Sequence, residues 1–167
     1  MKALILAGGL GTRLRVVVND RPKPMADVNG KPFLQILIEQ LSSRGINEIV
    51  LSVGYMADRI VSYFKDGDFL GVKIEYAKEE KPLGTGGAIK NAYPFLKNED
   101  RFLVINGDTY LDADFSSTFI RSSELNAIAY LLVKKGETRQ KAGLIELDEN
   151  NRVISIREVE KASGYFY

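Results

Sequence analysis

Apolar runs of strand length alternate along this chain with segments whose apolar residues recur at helical spacing. That alternation is the pattern of a sheet assembled from βαβ units. Residues 3–6 form a short buried strand that ends in glycines. Over 31–44, Phe33, Leu34, Leu37, Ile38 and Leu41 fall on one stripe of a helix, with Pro32 suited to the first turn and Gly45 to the stop. EIVLSV (48–53) reads as the second strand, 57–65 as a short helix and VKIEY (72–76) as a third strand. Beyond a polar loop, 86–96 reads as a helix and FLVI (102–105) as a central strand leading to Asn106-Gly107-Asp108. Asp114 can cap a helix through about 123, and AIAYLLV (127–133) has the composition of a further buried strand. Segments 143–147 and 152–156 flank the polar turn Asp148-Glu149-Asn150-Asn151 as a hairpin. The expected architecture is a three-layer α/β/α sandwich with a mostly parallel, Rossmann-like sheet and an antiparallel C-terminal part.

Composition narrows this picture. At 167 residues and 45% hydrophobic, the chain has material for one core, so a single domain over 1–167 is expected. The 23 basic and 22 acidic side chains nearly cancel, which points away from nucleic acid and membrane surfaces as partners. Anionic ligands must then be met by local groups. The absence of cysteine removes disulfides and thiol nucleophiles, and the absence of histidine removes imidazole bases and histidine-ligated metals. The first apolar run is broken by Gly8-Gly9 too early for a signal peptide, and no run approaches the ~18 residues of a membrane span. A cytoplasmic location is expected.

In such folds ligands bind beyond the carboxyl ends of the strands, so the segments 8–15 and 106–112 should meet on one rim. LAGGLGTRLR (6–15) is not a dinucleotide fingerprint, because position 14 is Leu and the second strand ends in Val53-Gly54 rather than an acid. Nor is it a Walker A loop, since no Gly-Lys-Ser/Thr closes it. What remains is a loop whose N–H groups can approach phosphate oxygens, with Thr12 as a hydroxyl donor and Arg13 as a guanidinium fork. Alone, it reads equally as a structural turn carrying a surface arginine. Pro22-Lys23-Pro24 adds a lysine presented on a stiff, non-helical segment, and two cations so close in sequence suggest one polyphosphate.

LAGGLGTRLR followed by RPKPM resembles the signature of the sugar nucleotidyltransferases, which join a nucleoside triphosphate to a sugar 1-phosphate. PLGTGGAIKNA (82–92) and LVINGD (103–108) resemble two further blocks of that family, in the expected order. Within the family, NDRPKPMADVNGKPFL (19–34) is most similar to guanylyltransferases acting on heptose 1-phosphate, and next to those acting on mannose 1-phosphate. The resemblance implies GTP and a sugar 1-phosphate as substrates and Mg²⁺ as cofactor, in a pathway that makes GDP-heptose for polysaccharide. It places Leu6, Ala7, Gly8, Gly9, Gly11, Thr12, Arg13, Lys23, Glu79, Gly84 and Thr85 on the nucleotide, with Arg13 and Lys23 as the catalytic cations. Asp108 would hold the metal.

Glu79 matches a position facing the base, and a carboxylate can accept from both donors on the Watson–Crick edge of guanine. The plain reading of Lys78-Glu79-Glu80-Lys81 is a solvated charged loop. Gly143 and Glu158 match positions on the sugar. The lysine that commonly follows that carboxylate is replaced by Val159, leaving Lys161 as the candidate for the sugar phosphate.

The resemblance also places another strand and a second metal-binding aspartate beyond position 167, so the chain reads as C-terminally truncated, and a truncated sheet edge favours a homo-oligomer. Asp112 or a neighbouring subunit is then the alternative source of that ligand. A catalytically weak nucleotide-binding domain of the same fold stays open. So does a glycosyltransferase using Asp112-Ala113-Asp114 as its metal motif.

Overall fold

The computed structural model describes the backbone of residues 1–9 and 21–166, and all of their side chains except those of 136–142, 158–164 and 166. The described chain forms two compact units, Met1–Ser116 and Ser117–Tyr167.

The first unit is built on four parallel strands, β1 (Lys2–Leu6), β4 (Glu48–Val53), β5 (Lys73–Lys78) and β6 (Phe102–Asn106), in the order β5-β4-β1-β6. Between β1 and β4 lie the two-residue antiparallel pair β2 (Asp27–Val28) and β3 (Lys31–Pro32), and helix α1 (Phe33–Ser43). Helix α2 (Ala57–Phe64) joins β4 to β5, and α3 (Gly84–Leu96) joins β5 to β6. Right-handed crossovers in this order require α1 and α2 on one face of the sheet and α3 on the other. Burial follows that division. Leu4, Val50 and Ala77 pack with Ala92 and Leu96 of α3, extended by Leu6, Ile89, Phe95 and Phe102. The alternate strand positions Ala3, Ile5, Ile49, Leu51 and Val53 are also buried, as are Leu34, Leu37, Ile38 and Leu41 of α1 and Ile60 and Phe64 of α2. Strands apolar on both faces are what a sheet covered by helices on both sides demands.

The α/β class, the parallel sheet and the three strand–helix repeats are as the pattern predicts, with bounds shifted by a residue or two. Three details differ. FLVI belongs to β6 but lies at an edge of the sheet rather than at its centre, because no described strand pairs on its far side. Val104 is accordingly 37% exposed. The apolar run 127–133 forms no strand, and Ile128, Tyr130 and Leu131 are exposed. A strand needs a partner ladder as well as composition, and local sequence does not supply one. Finally, Pro32 precedes α1 in extended conformation instead of occupying its first turn.

Helix α4 (Phe115–Glu124) follows β6 through residues 107–114. Its first residue, Phe115, is buried in the first unit under the guanidinium of Arg44. In the second unit, β7 (Lys134–Leu147) and β8 (Val153–Phe166) form the antiparallel hairpin, longer than its predicted core. Asp148 closes the turn by accepting from the N–H groups of Asn150 and Arg152. No helix among the described residues is long and apolar enough to cross a membrane.

Candidate nucleotide site

All four parallel strands end on one edge, which brings together the segments that follow them. Ala7 donates its N–H to the Ser52 carbonyl at 2.8 Å, Gly107 to the Leu6 carbonyl at 2.9 Å, and Glu79 to the Val53 carbonyl at 2.7 Å. The ends of β1, β4, β5 and β6 are thus laced to one another before any side chain contributes. A Cβ at position 107 would stand 2.9 Å from the Leu6 carbonyl oxygen, so only glycine permits that crossing of β1 and β6. The chain order reverses between these same strands. They therefore flank the switch point at which doubly wound sheets bind ligands.

Lys23 reaches this point from a distant segment. Pro22 is extended, and Lys23–Met25 makes one 3₁₀ turn, so the lysine opens a short helix rather than sitting on a wholly non-helical stretch. The turn is compatible with Pro24 because first-turn N–H groups have no intrahelical acceptor. Pro24 and Met25 are buried, and the turn packs against α1. With the backbone so anchored, the Lys23 Nζ lies 2.6 Å from Oδ2 of Asp108, just past β6. The two groups expected to hold phosphate and metal therefore meet at the switch point. Their side chains are 34% and 39% exposed. A pair this open is worth roughly 0–1 kcal/mol, so a triphosphate can displace it cheaply.

Leu6 and Ala7 sit at and just beyond the end of β1, where Ala7 is buried and Gly9 exposed. Gly11, Thr12 and Arg13 lie outside the described residues. Gly84 and Thr85 form the exposed first turn of α3, whose N-terminus opens on the same edge as the strand ends.

Glu79 is not a freely solvated loop residue. Its Oε1 accepts from the Ser52 hydroxyl at 2.7 Å and its Oε2 from the Leu83 N–H at 3.2 Å. A Cβ at position 8 would lie 2.5 Å from Oε1, and one at position 54 would lie 3.0 Å from the Gly8 carbonyl oxygen. Gly8 thus lies close against a carboxylate, a neighbour its place in a glycine-rich loop does not reveal. Ser52 is passed over by motif reading. Its one signal is a hydroxyl in the otherwise apolar second half of EIVLSV.

Asp112 is ion-paired with Arg44 at the end of α1, and the same guanidinium donates to the Ala113 carbonyl. The Asp112 carboxylate is 79% exposed, so this pair, like that of Lys23 with Asp108, is weak. Among the described residues no three acidic groups cluster to hold a metal. In the second unit, Gly143 and Glu158 are cross-strand partners of the β7–β8 hairpin, and Lys161 pairs with Gln140.

The Nucleotidyl transferase family profile matches residues 2–163. The chain is 46% identical over 158 residues to a D-glycero-alpha-D-manno-heptose 1-phosphate guanylyltransferase of Campylobacter jejuni, covering 95% of this chain and 68% of that protein. It is 40% identical to the protein of that name from Aneurinibacillus thermoaerophilus, covering 95% and 67%. Among solved structures, HddC from Yersinia pseudotuberculosis complexed with GMP-PN superposes with a TM-score of 0.78 at 40% identity. That match covers 99% of this chain and 72% of the other. With the profile spanning nearly all of its length and a parallel sheet of the same fold beneath the match, the chain belongs to the nucleotidyl transferase family.

Proposed function

We propose that this protein is a guanylyltransferase that makes GDP-heptose from GTP and D-glycero-α-D-manno-heptose 1-phosphate. The observation that carries the reading is the meeting of Lys23 and Asp108 at the switch point, on the sheet edge where the strands end. Two relatives of 46% and 40% identity with that activity in their names supply the substrates. A phosphate oxygen of the sugar 1-phosphate attacks the α-phosphorus of GTP. The bond from that phosphorus to the bridging oxygen breaks, and pyrophosphate leaves with the electron pair. The nucleophile is already an anion at neutral pH, so a chain without histidine lacks nothing that this step needs. The demand is for positioning and neutralisation of charge. Lys23 and Arg13 supply it from the protein, holding the triphosphate and balancing the charge that grows on the leaving pyrophosphate.

Enzymes of this family generally use a divalent metal. Asp108 suits Mg²⁺, a hard cation commonly held by one or two carboxylates and substrate phosphates, which when bound adds neutralising charge at the phosphates. In this reading residues 1–167 form one sugar nucleotidyltransferase domain. Leu6, Ala7, Gly8, Gly9, Gly11 and Thr12 line the phosphates, Glu79, Gly84 and Thr85 the base, and Gly143, Glu158 and Lys161 the sugar phosphate. The setting is the cytoplasm, and the product feeds polysaccharide synthesis. The test is pyrophosphate release from GTP and Mg²⁺. Release that depends on added heptose 1-phosphate is expected, whereas GTP binding without turnover would leave only a nucleotide-binding domain.

A further inference from the structure

We propose that Ser52 is a positioning residue for base selection, acting through Glu79; the inference rests on the reading of Glu79 as the acceptor for guanine. Ser52 is fully buried in β4, and its hydroxyl donates to Oε1 of Glu79 at 2.7 Å. Burying a hydroxyl costs free energy unless it is hydrogen-bonded. The carboxylate it serves is only half-buried at the rim and could be solvated without it. The bond therefore satisfies a buried hydroxyl and also fixes the direction in which the carboxylate points.

That direction is closely determined. Glu79 is held at its backbone by the Val53 carbonyl, at Oε1 by Ser52 and at Oε2 by the Leu83 N–H, with Gly8 lying against Oε1. A carboxylate offers about four acceptor sites. Among the described residues Ser52 and Leu83 occupy one on each oxygen, which leaves one further site on each. Guanine presents two adjacent donors, N1–H and the 2-amino group, so the remaining capacity matches its edge in number. A base offering an acceptor at either position would set a lone pair against the carboxylate. Because the side chain is already ordered, the nucleotide does not bear the entropy of fixing it. Without Ser52 the carboxylate keeps its charge and loses its orientation.

The probe is inosine triphosphate, which lacks the 2-amino group of GTP. Wild-type protein is expected to favour GTP by about tenfold or more in kcat/KM and in equilibrium binding, as for one hydrogen bond to a charged acceptor. In Ser52→Ala the ratio should fall towards one, mainly through a rise of about tenfold in KM for GTP rather than through kcat. A ratio measured on one preparation is insensitive to the fraction folded, so a modest loss of stability does not obscure it. An unchanged ratio, or equal weakening of both nucleotides, would overturn the assignment and leave Ser52 as a brace between strand ends. Glu79→Gln separates the two levels of the argument. If it retains the preference for GTP, the reading of Glu79 itself fails. If it abolishes the preference while Ser52→Ala retains it, only the role of Ser52 is lost.

Discussion

Lys23 and Asp108 stand 85 positions apart in sequence and 2.6 Å apart in space. Each could be singled out on its own, the lysine by its bracketing prolines and the aspartate by its place after a strand. Their contact could not, because it depends on how a 3₁₀ turn packs under α1 and on where β6 ends. The partial exposure of the pair predicts a separation of effects on substitution. Lys23→Ala should shift the melting temperature by only the few degrees that about 1 kcal/mol represents. It should lower turnover by ~10²–10³, the range for removal of a cation or donor aimed at developing charge. Arg13→Ala is expected to lower turnover similarly, measured as pyrophosphate release under saturating GTP. Wild-type rates from both variants would remove these residues from the mechanism. Glu79 teaches the complementary lesson, since a run of charged residues suggests a solvated loop, whereas the Ser52 hydroxyl of β4 and the Leu83 N–H before α3 hold its carboxylate in place.

The elements themselves were largely legible, because helix and strand periodicities are local. β4 occupies the predicted residues 48–53, and α1 and α2 differ from expectation only at their ends. The run 127–133 was not legible, since its apolar composition suits a strand that the fold does not pair. Long-range bonds between elements are equally hidden, and the Tyr76 hydroxyl is an example. It donates to the Lys65 carbonyl at 2.5 Å, tying β5 to the end of α2. Burial, reinforced by the Asp66 carboxylate, pushes its pKa up to about 12. The folded state therefore keeps this proton where the unfolded chain, with a phenol near 10, loses it. The contribution to stability is complete below about pH 10 and is lost as pH rises towards 12. Tyr76→Phe should cost about 0.5–1.5 kcal/mol at neutral pH by urea denaturation. The gap between wild type and variant should then narrow from pH 10 to 12, and a gap that stayed constant would contradict this account.

At the scale of the whole molecule, hydrophobicity alone does not say which apolar residues carry stability. Leu4 is fully buried between β4 and α3, and Leu4→Ala should cost about 2–5 kcal/mol. Ile128 is fully exposed, so Ile128→Ser should change stability by no more than about 0.5 kcal/mol by the same denaturation measurement. A cost near that of Leu4→Ala would restore 127–133 as a buried strand. The sequence by itself determined the α/β class, the four parallel strands and their helices, the family, and the lysine and aspartate suited to a phosphate site. Those features reside in short-range periodicity, glycine and proline placement, and motif blocks within a few residues of one another. Only the tertiary structure decided that β6 has no partner beyond β1 among the described residues, that Asp112 pairs with Arg44, that Gly8 lies against a carboxylate, and that Ser52 donates to it. The last three are contacts between residues 27 or more positions apart. Such contacts are settled by chain crossing and packing, which local pattern does not encode.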